Sequence, residues 1–589
     1  MAIITAQRRF QRLALLAMFC LAGTYLLLYR LPDRPLMESW RTSTYVPSSF
    51  DWAHRPQKHP IPESSITDLP KGSPRQLPRI QHGFSKEELT EAHNRTQRER
   101  RDAILETTKR AWGAYREHAW GRDELNPQTM NGADTFGGWG ATLVDSLDTL
   151  WIMGMKKEFA EAARFVGTID WDSSTLTEIS LFETTIRYLG GLLSAYDLSG
   201  EKLLMGKALE LGDMLYAAFD TPNHLPPNAF HMRKAREGLL FANTRESIAV
   251  IGSLSLEFTR LSQITGDAKY YSATEAIKQG MERTQDSTKL PGMWPTYIDV
   301  RNGFLTSDSS FTLGASADSA YEYLSKMYEL LGGLDRTYET MHTKAMDTIK
   351  NRLLLRPMLP DTDAPDILFP GTVFANGAGG IIDLVPEVQH LGCFAGGMFA
   401  LGGKLFGSDE DVQVGEQLAR GCAWAYESFP SGIMPEIAEI IPCGSESNPD
   451  YISPCEWNET RWEREGDRRG RFPKPWRALR DRHYFLRPEA IESIFILYRI
   501  TGKKDLLDVA WRMFQSIQEA TKTAFANSAI VDVLAEAGQT DKVNSMESFW
   551  IAETLKYFYL IFSEPELISL DEYVFNTEAH PFRLPNLGK

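Results

Sequence analysis

The sequence predicts an all-α toroid of seven helical hairpins, and three observations predict it. A strongly apolar helical stretch, a Gly-containing turn and a more polar helical stretch recur six times in order. A seventh apolar stretch, "SMESFWIAETLKYFYLIF", has no polar partner after it. An amphipathic stretch, Glu87 to His118, has no apolar partner before it. An open superhelix of hairpins is the alternative. An unpaired last inner helix and an unpaired first outer helix favour a closed circle, because each supplies what the other lacks.

The pairs run as follows. "GATLVDSLDTLWIMG" precedes "KKEFAEAARFV", and "LFETTIRYLGGLLSAYDLSG" precedes "EKLLMGKALELGDMLYAAF". "SIAVIGSLSLEFTRLSQITG" precedes "DAKYYSATEAIKQGM", and "GASADSAYEYLSKMYELLGG" precedes "DRTYETMHTKAMDTIKNRL". "LGCFAGGMFALGGKLFG" precedes "SDEDVQVGEQLARGCAWAY", and "RPEAIESIFILYRITG" precedes "KKDLLDVAWRMFQSI". The connections between repeats are long and rich in Pro and Gly, as in Thr221 to Glu237, Leu359 to Gly380 and Ile441 to Tyr484. Such loops form the rim of a cleft.

The N-terminus has a different character. Arg8, Arg9 and Arg12 precede the uncharged run Leu13 to Tyr29, which Arg30 closes. Its length is at the short edge for a bilayer span, and no small-x-small cleavage site follows. Residues 1–12 are therefore expected as a cytosolic tail and 13–30 as a transmembrane signal anchor, with the basic cluster inside. Residues 31–84, rich in Pro, Ser and charge without helical period, are expected as an extended stem. Residues 85–589 are expected as the lumenal α/α domain, its first helix opening at "SKEELTEA". The 589 residues carry a formal net charge of −15 and no basic stripe interleaved with aromatics. That excludes nucleic acid as partner.

Cys393, Cys422, Cys443 and Cys455 lie beyond the apolar run. An even number in an oxidising compartment implies disulfides, and four cysteines allow three pairings. No Cys/His spacing of a metal site appears. Asn94 and Asn458 open N-x-Thr sequons, which matter only on a lumenal chain.

The inner stretches carry acids where a core should be apolar. Glu183 lies one turn before Arg187, Asp318 before Glu322, and Glu489 before Glu492 just after Arg487 and Pro488. Asp145, Asp148 and Glu553 lie in other inner stretches, and Glu436 in "GIMPEI". Any one of these acids could cap a helix or pair with an arginine. Burying them all is costly unless they face a polar cavity or a cation. They are expected to share one acidic pocket at one end of the toroid, which suits glycoside hydrolysis by a carboxylate pair and a hard, oxygen-bound cation.

"GWGATLVDSLDTLWIMG", "LFETTIRYLGGLLSAYDLSG", "FTLGASADSAYEYL", "HLGCFAGG", "LRPEAIESIFILYRITG" and "VFNTEAHPF" together resemble glycoside hydrolase family 47, the class I α-1,2-mannosidases. The similarity runs in order from Ala92 to Pro581, and the anchor and stem resemble those of ER and Golgi members. The resemblance implies an (α/α)7 barrel plugged by a C-terminal hairpin, with inverting, Ca2+-dependent trimming of high-mannose N-glycans. It implies Glu183 as the acid that protonates the leaving oxygen, Glu489 as the base, and Asp318 as a third essential carboxylate, argued between base and orienter. Thr577 is implied as the Ca2+ ligand. Glu578, Glu553, Glu492 and Glu436 are implied to hold calcium-bound waters or sugar hydroxyls. Arg187, His390 and Phe549 are implied as further pocket residues. Cys393–Cys422 is implied as the family's disulfide, and Cys443 with Cys455 would be a local extra bridge.

Two positions depart from well-known members. Ser316 stands where ER enzymes carry Arg, and Val250 where many carry Glu. Both put branch preference in question. The rival readings are a degradation-enhancing mannosidase-like quality-control protein and a non-catalytic lectin. The intact acid set favours the hydrolase.

Overall fold

The computed structural model describes residues 45–585, apart from 305, 361–364, 378–381, 446–448 and 468. The expected anchor lies outside the described residues. Among those described, no helix is long and apolar enough to cross a membrane.

Seven inner helical segments stand in a ring. The first is Ala141–Asp145 continued by Leu147–Ile152. The second is Leu181–Glu183, a π turn Thr184–Leu189, and Gly190–Ser199. The third is Ile248–Gly252 with Ser255–Thr265, and the fourth Asp318–Leu330. The fifth is the turn Leu391–Phe394 with Ala395–Phe406, and the sixth Glu489–Thr501. The seventh is a π turn Trp550–Thr554 continued by Leu555–Ile561. Each packs on the next, and the seventh packs on the first, so the ring closes. Six outer helices follow their inner partners: Lys156–Val166, Lys202–Tyr216, Ala268–Thr284, Arg336–Arg352, Asp409–Glu427 and Asp505–Thr521. The leading helix Glu91–His118 packs on the seventh inner helix and completes the outer ring.

Local chemistry sets the hairpin turns. Gly200, Gly266, Gly407 and Gly502 end inner helices with φ of 69–75°, the left-handed conformation that glycine adopts without a Cβ penalty. Three of the outer helices that follow are capped by side chains. Glu201, Asp267 and Ser408 accept from the backbone N–H of Leu203, Lys269 and Asp411. Inner helices are buried all round; every residue from Ser319 to Leu330 is buried. Outer helices bury one face, as amphipathic patterning requires.

Short antiparallel ribbons sit where inner helices begin. Glu178–Ser180 pairs with Ala229–His231, and Glu246–Ser247 with Tyr297–Ile298. Each leads directly into an inner helix and fixes where its first turn points. The C-terminal hairpin, Tyr573–Phe575 with Pro581–Arg583, packs on the second and fourth inner helices and plugs the ring. Gly190 permits that approach: a Cβ there would lie 2.7 Å from Asn576 Nδ2 and 2.9 Å from His580 Cδ2. The disulfides are Cys393–Cys422, joining the fifth inner helix to its outer partner, and Cys443–Cys455, local to a rim loop.

Two N-terminal expectations take a different form. "SKEELTEA" does not open a helix at Ser85. Ser85 and Glu88 exchange capping bonds, Ser85 N–H to Glu88 at 2.7 Å and Glu88 N–H to Ser85 Oγ at 3.2 Å, but they close an isolated turn. The helix begins at Glu91, behind its own cap Thr90. Capping chemistry repeats twice in six residues, and only the second copy precedes a face that packs. The described part of the stem, 45–84, has no regular structure beyond Glu63–Ser65, yet it does not stand off the toroid. Arg55 pairs with Asp220 at 2.6 Å, both side chains 3 % exposed. Arg75 N–H donates to Gly332 O and His82 N–H to Arg499 O. Trp52 and Ile80 are buried. Single apolar residues without a period fill gaps between helices, and periodicity cannot reveal that.

Candidate active site

At the end of the toroid where the inner helices start lies a cavity of about 360 Å3. The second inner helix contributes Glu183 and Arg187, the fourth Asp318 and Glu322, and the sixth Glu489 and Glu492. The seventh contributes Glu553, with Phe549 just before it, and the plug contributes Thr577 and Glu578. Val250 and Ser316 line one side. The two π turns lie in the segments that carry Arg187 and Glu553. An extra residue per turn re-aims a side chain without ending the helix, and such turns recur at functional sites.

Arg187 is the hub of one wall. Its Nε donates to Glu183 at 2.9 Å, and Nη1 donates to Glu578 and, at 3.1 Å, to Ser548 Oγ. Its guanidinium stacks 4.7 Å over Phe136 and 5.8 Å over Phe549. Arg487 stacks 5.8 Å over Phe549 as well, so this ring lies between two cations.

Asp318 and Glu489 are driven apart in acidity. Burial lifts Asp318 to about 7; the Ser319 N–H opposes this and the charges of Glu322 and Glu489 add to it. Burial also pushes Glu489 up, but the hydrogen bond from His390 and the charge of Arg487 win, and its carboxyl titrates below the usual range. His390 Nδ1 lies 2.8 Å from Glu489 Oε2, and its Nε2 lies 2.7 Å from the Tyr426 hydroxyl. Burial and the neighbouring Glu322 push Glu492 to about 8. Burial pushes Glu553 and Glu578 well up; the carboxylates around Glu553 add to its rise, while Arg187 opposes that of Glu578.

Not every expected pocket residue lines the cavity. His390 is fully buried behind Glu489. Glu436 lies behind Arg487, which donates to it, and accepts from Phe485 N–H at 3.0 Å. Glu436, expected to reach water or sugar, does not line the cavity but holds Arg487, which does. Asn94 lies in the leading helix, its amide donating to Leu89 O, and Asn458 caps the helix Glu459–Glu465 in an exposed rim loop.

Other charged groups carry weight that the sequence reading passed over. Lys326 is buried between Glu322 and Glu492, ion-paired to the first and 3.8 Å from the second. Behind the plug, Lys556 Nζ lies 2.8 Å from Asp148, and His580 bridges Asp148 at 2.8 Å and Asp145 at 3.0 Å. A lysine inside "ETLKYFYLIF" was a visible signal, since a cation is buried only when paired.

An all-oxygen cation fits this donor set. Thr577 sits at the tip of the plug, its N–H donating to Tyr323 Oη at 3.3 Å, and its hydroxyl has no protein partner among the described residues. Glu492, Glu553 and Glu578 repel one another's charge within the same cavity, which a divalent cation would offset. Among the described residues, no three His, Cys, Asp or Glu side chains converge closely enough to chelate an ion by themselves. Thr577 oxygens and intervening water suit that arrangement.

Residues 107–584 match the model of glycosyl hydrolase family 47. The chain is 36 % identical over 495 residues to the mannosyl-oligosaccharide 1,2-alpha-mannosidase MNS1 of Arabidopsis thaliana, covering 83 % of this chain and 79 % of the plant protein. It is 34 % identical to the human endoplasmic reticulum mannosyl-oligosaccharide 1,2-alpha-mannosidase, covering 82 % of this chain and 64 % of the human one. The solved alpha-1,2-mannosidase from Trichoderma reesei superposes with a TM-score of 0.73 at 30 % identity, covering 82 % of this chain and 99 % of that one. An (α/α)7 ring, a carboxylate-lined cavity at its helix starts and a family match across the whole ring lead to one assignment: the chain is a glycosidase and belongs to glycosyl hydrolase family 47.

Proposed function

We propose that the chain is an inverting, Ca2+-dependent α-1,2-mannosidase that removes terminal α-1,2-linked mannose from high-mannose N-glycans in the secretory pathway, held in an ER or Golgi membrane by residues 13–30. The observation that carries this reading is the convergence of Glu183, Asp318 and Glu489, from three different inner helices, on one cavity with Thr577. The names of the plant and human relatives support the substrate.

In this scheme Glu183 gives its proton to the glycosidic oxygen as the bond to C1 breaks. Glu489, kept ionised by His390 and Arg487, takes a proton from a water that attacks C1 on the opposite face. The product is β-mannose. Asp318 orients this water from the fourth helix. Arg187 holds Glu183 in place, and Phe549 with its two flanking arginines walls the sugar. Thr577, with Glu492, Glu553 and Glu578 around it, would hold Ca2+, which supplies positive charge for the sugar hydroxyls when bound.

The test is digestion of a defined high-mannose glycan by purified protein, with and without a chelator. Turnover is expected only with Ca2+. Chelation should also lower Tm, because a ligand at 100 to 1,000 times its Kd stabilises the fold by about 3–4 kcal/mol. Full turnover after exhaustive chelation would remove Thr577 from the scheme. Release of no mannose under either condition would leave the lectin reading.

The cavity wall bears on branch choice. Ser316 is half-buried at φ 72°, its carbonyl accepting from Ser247 Oγ and Ala249 N–H. It offers the cleft a short side chain, and Val250 beside it offers none that is polar. We propose a roomy cleft that trims several α-1,2-mannoses. Ser316→Arg keeps a non-glycine residue at the same φ, so the fold should tolerate it, and it adds five donors to the cleft. A time course should show the wild type passing through several products and the variant stalling earlier or changing order. A wild type that halts after one mannose, or an unaltered order in the variant, contradicts this.

A further inference from the structure

The ribbon Glu246–Ser247/Tyr297–Ile298 carries the cavity outward. Ser247 lines the cavity and donates its Oγ to Ser316 O at 2.7 Å. Tyr297 is its direct cross-strand partner. Directly opposed residues of an antiparallel pair project from the same face. The half-buried Tyr297 ring therefore lies on the Ser247 side of the ribbon, next outward from the cavity wall. Over this ring lies the guanidinium of Arg245, 3.4 Å from its centroid, with its side chain exposed.

The pairing of Arg245 sets it apart. It has no hydrogen bond or ion pair among the described residues, and its guanidinium stacks on Tyr297. The chain has a formal charge of −15, so acids are plentiful. The cavity arginines Arg187 and Arg487 are saturated by carboxylates. Arg245 instead keeps its fork of donors free while a flat ring fixes its plane. A guanidinium held flat on a ring loses little freedom when its donors are used.

We propose that Arg245, stacked on Tyr297, is a specificity-determining contact for the sugar residues beyond the scissile bond. This rests on the mannosidase reading above. A high-mannose glycan that places its terminal mannose beside Asp318 must leave the cavity through its mouth. The Ser316, Ser247 and Val250 side of the cavity offers only short side chains, and Arg245 lies outward of it on the same face of the ribbon. Its N–H groups meet sugar hydroxyls, and the exposed part of the Tyr297 ring meets a C–H face. A disaccharide fills the cavity and does not extend to Arg245.

The test compares α-1,2-mannobiose with a nine-mannose N-glycan. Arg245→Ala is expected to lower kcat/KM for the glycan about tenfold, the scale of a lost hydrogen bond to a charged group, mostly through KM. The loss on the disaccharide should be several-fold smaller. Tyr297→Ala should follow Arg245→Ala, Tyr297→Phe should stay near wild type, and Arg245→Lys should recover only part. Equal losses on both substrates would mean the change is transmitted to the cavity, and equal retention would mean a solvated rim residue; either overturns the proposal. Calorimetric titration of the glycan into Glu183→Gln and Glu183→Gln/Arg245→Ala separates this from the catalytic scheme. A tenfold weaker Kd in the double variant sustains the contact even if turnover fails, and an equal Kd rejects it.

Discussion

Glu183→Gln is expected to lower kcat by at least about 100-fold, the scale of lost acid–base help, with folding intact. Glutamine keeps an oxygen for Arg187 Nε, which donates to Glu183 at 2.9 Å, so the wall of the cavity keeps its hub. It carries no proton that can pass to a leaving alcohol. Glu489→Gln and Asp318→Asn should fall similarly; the Gln amide keeps an oxygen for His390, which lies 2.8 Å from Glu489, but cannot take a proton from the attacking water. NMR of the first-formed sugar should show β-mannose from an α-linkage. Appearance of α-mannose would reject inversion, and near-wild-type kcat in Glu183→Gln would reject the assignment of the acid. Circular dichroism and Tm serve as the folding control.

Asp148→Asn is expected to cost about 3–5 kcal/mol of stability, the scale for leaving a buried charge unpaired. Asp148, Lys556 and His580 all have fully buried side chains. Asp148 also accepts from Ser194 Oγ at 2.8 Å, so it anchors the first, second and seventh inner helices and the plug at once. Burial alone would raise its pKa, but Lys556 and His580 hold it at about 2, against 3.8 for a free carboxyl. A depressed folded pKa gives stability that is present above pH 3.8 and lost as pH falls toward 2. The shift corresponds to about 2 kcal/mol. His580 has the opposite sign. Burial lowers its pKa, yet the two aspartates raise it net above 6.5, so its contribution is complete below pH 6.5 and declines as pH rises through the raised value. Urea unfolding at several pH values, wild type against Asp148→Asn, measures both. A variant within 1 kcal/mol of wild type, or one with the same acid limb, would show that this cluster does not hold the plug.

The hairpins were legible because their causes are local. "YDLSG" before "EKLL" puts a left-handed stop at Gly200 and a capped start at Glu201, adjacent residues. The apolar members of the pairs are the buried helices. The front helix and the last apolar helix meet as the closed circle requires, although 471 positions separate Glu91 and Phe562. The acid pocket was legible for a similar reason. Glu183, Asp318 and Glu489 stand at helix starts, and helices arranged in a ring put their starts at one end.

What the sequence by itself determined is therefore the set of hairpins, their closure and the end at which the carboxylates gather, since each follows from periodicity, turn chemistry and the cost of burying charge. Tertiary structure alone decided which charge answers which. Asp148 meets His580 across 432 positions, and Lys556 meets Asp148 across a ring closure. Glu436 holds Arg487 rather than lining the cavity, and residues 45–84 docked because Trp52 and Ile80 found gaps that no local pattern describes. The physical reason is range. Helical period and caps act over one or two turns, whereas a buried ion pair depends on distances that exist only after every helix has been placed.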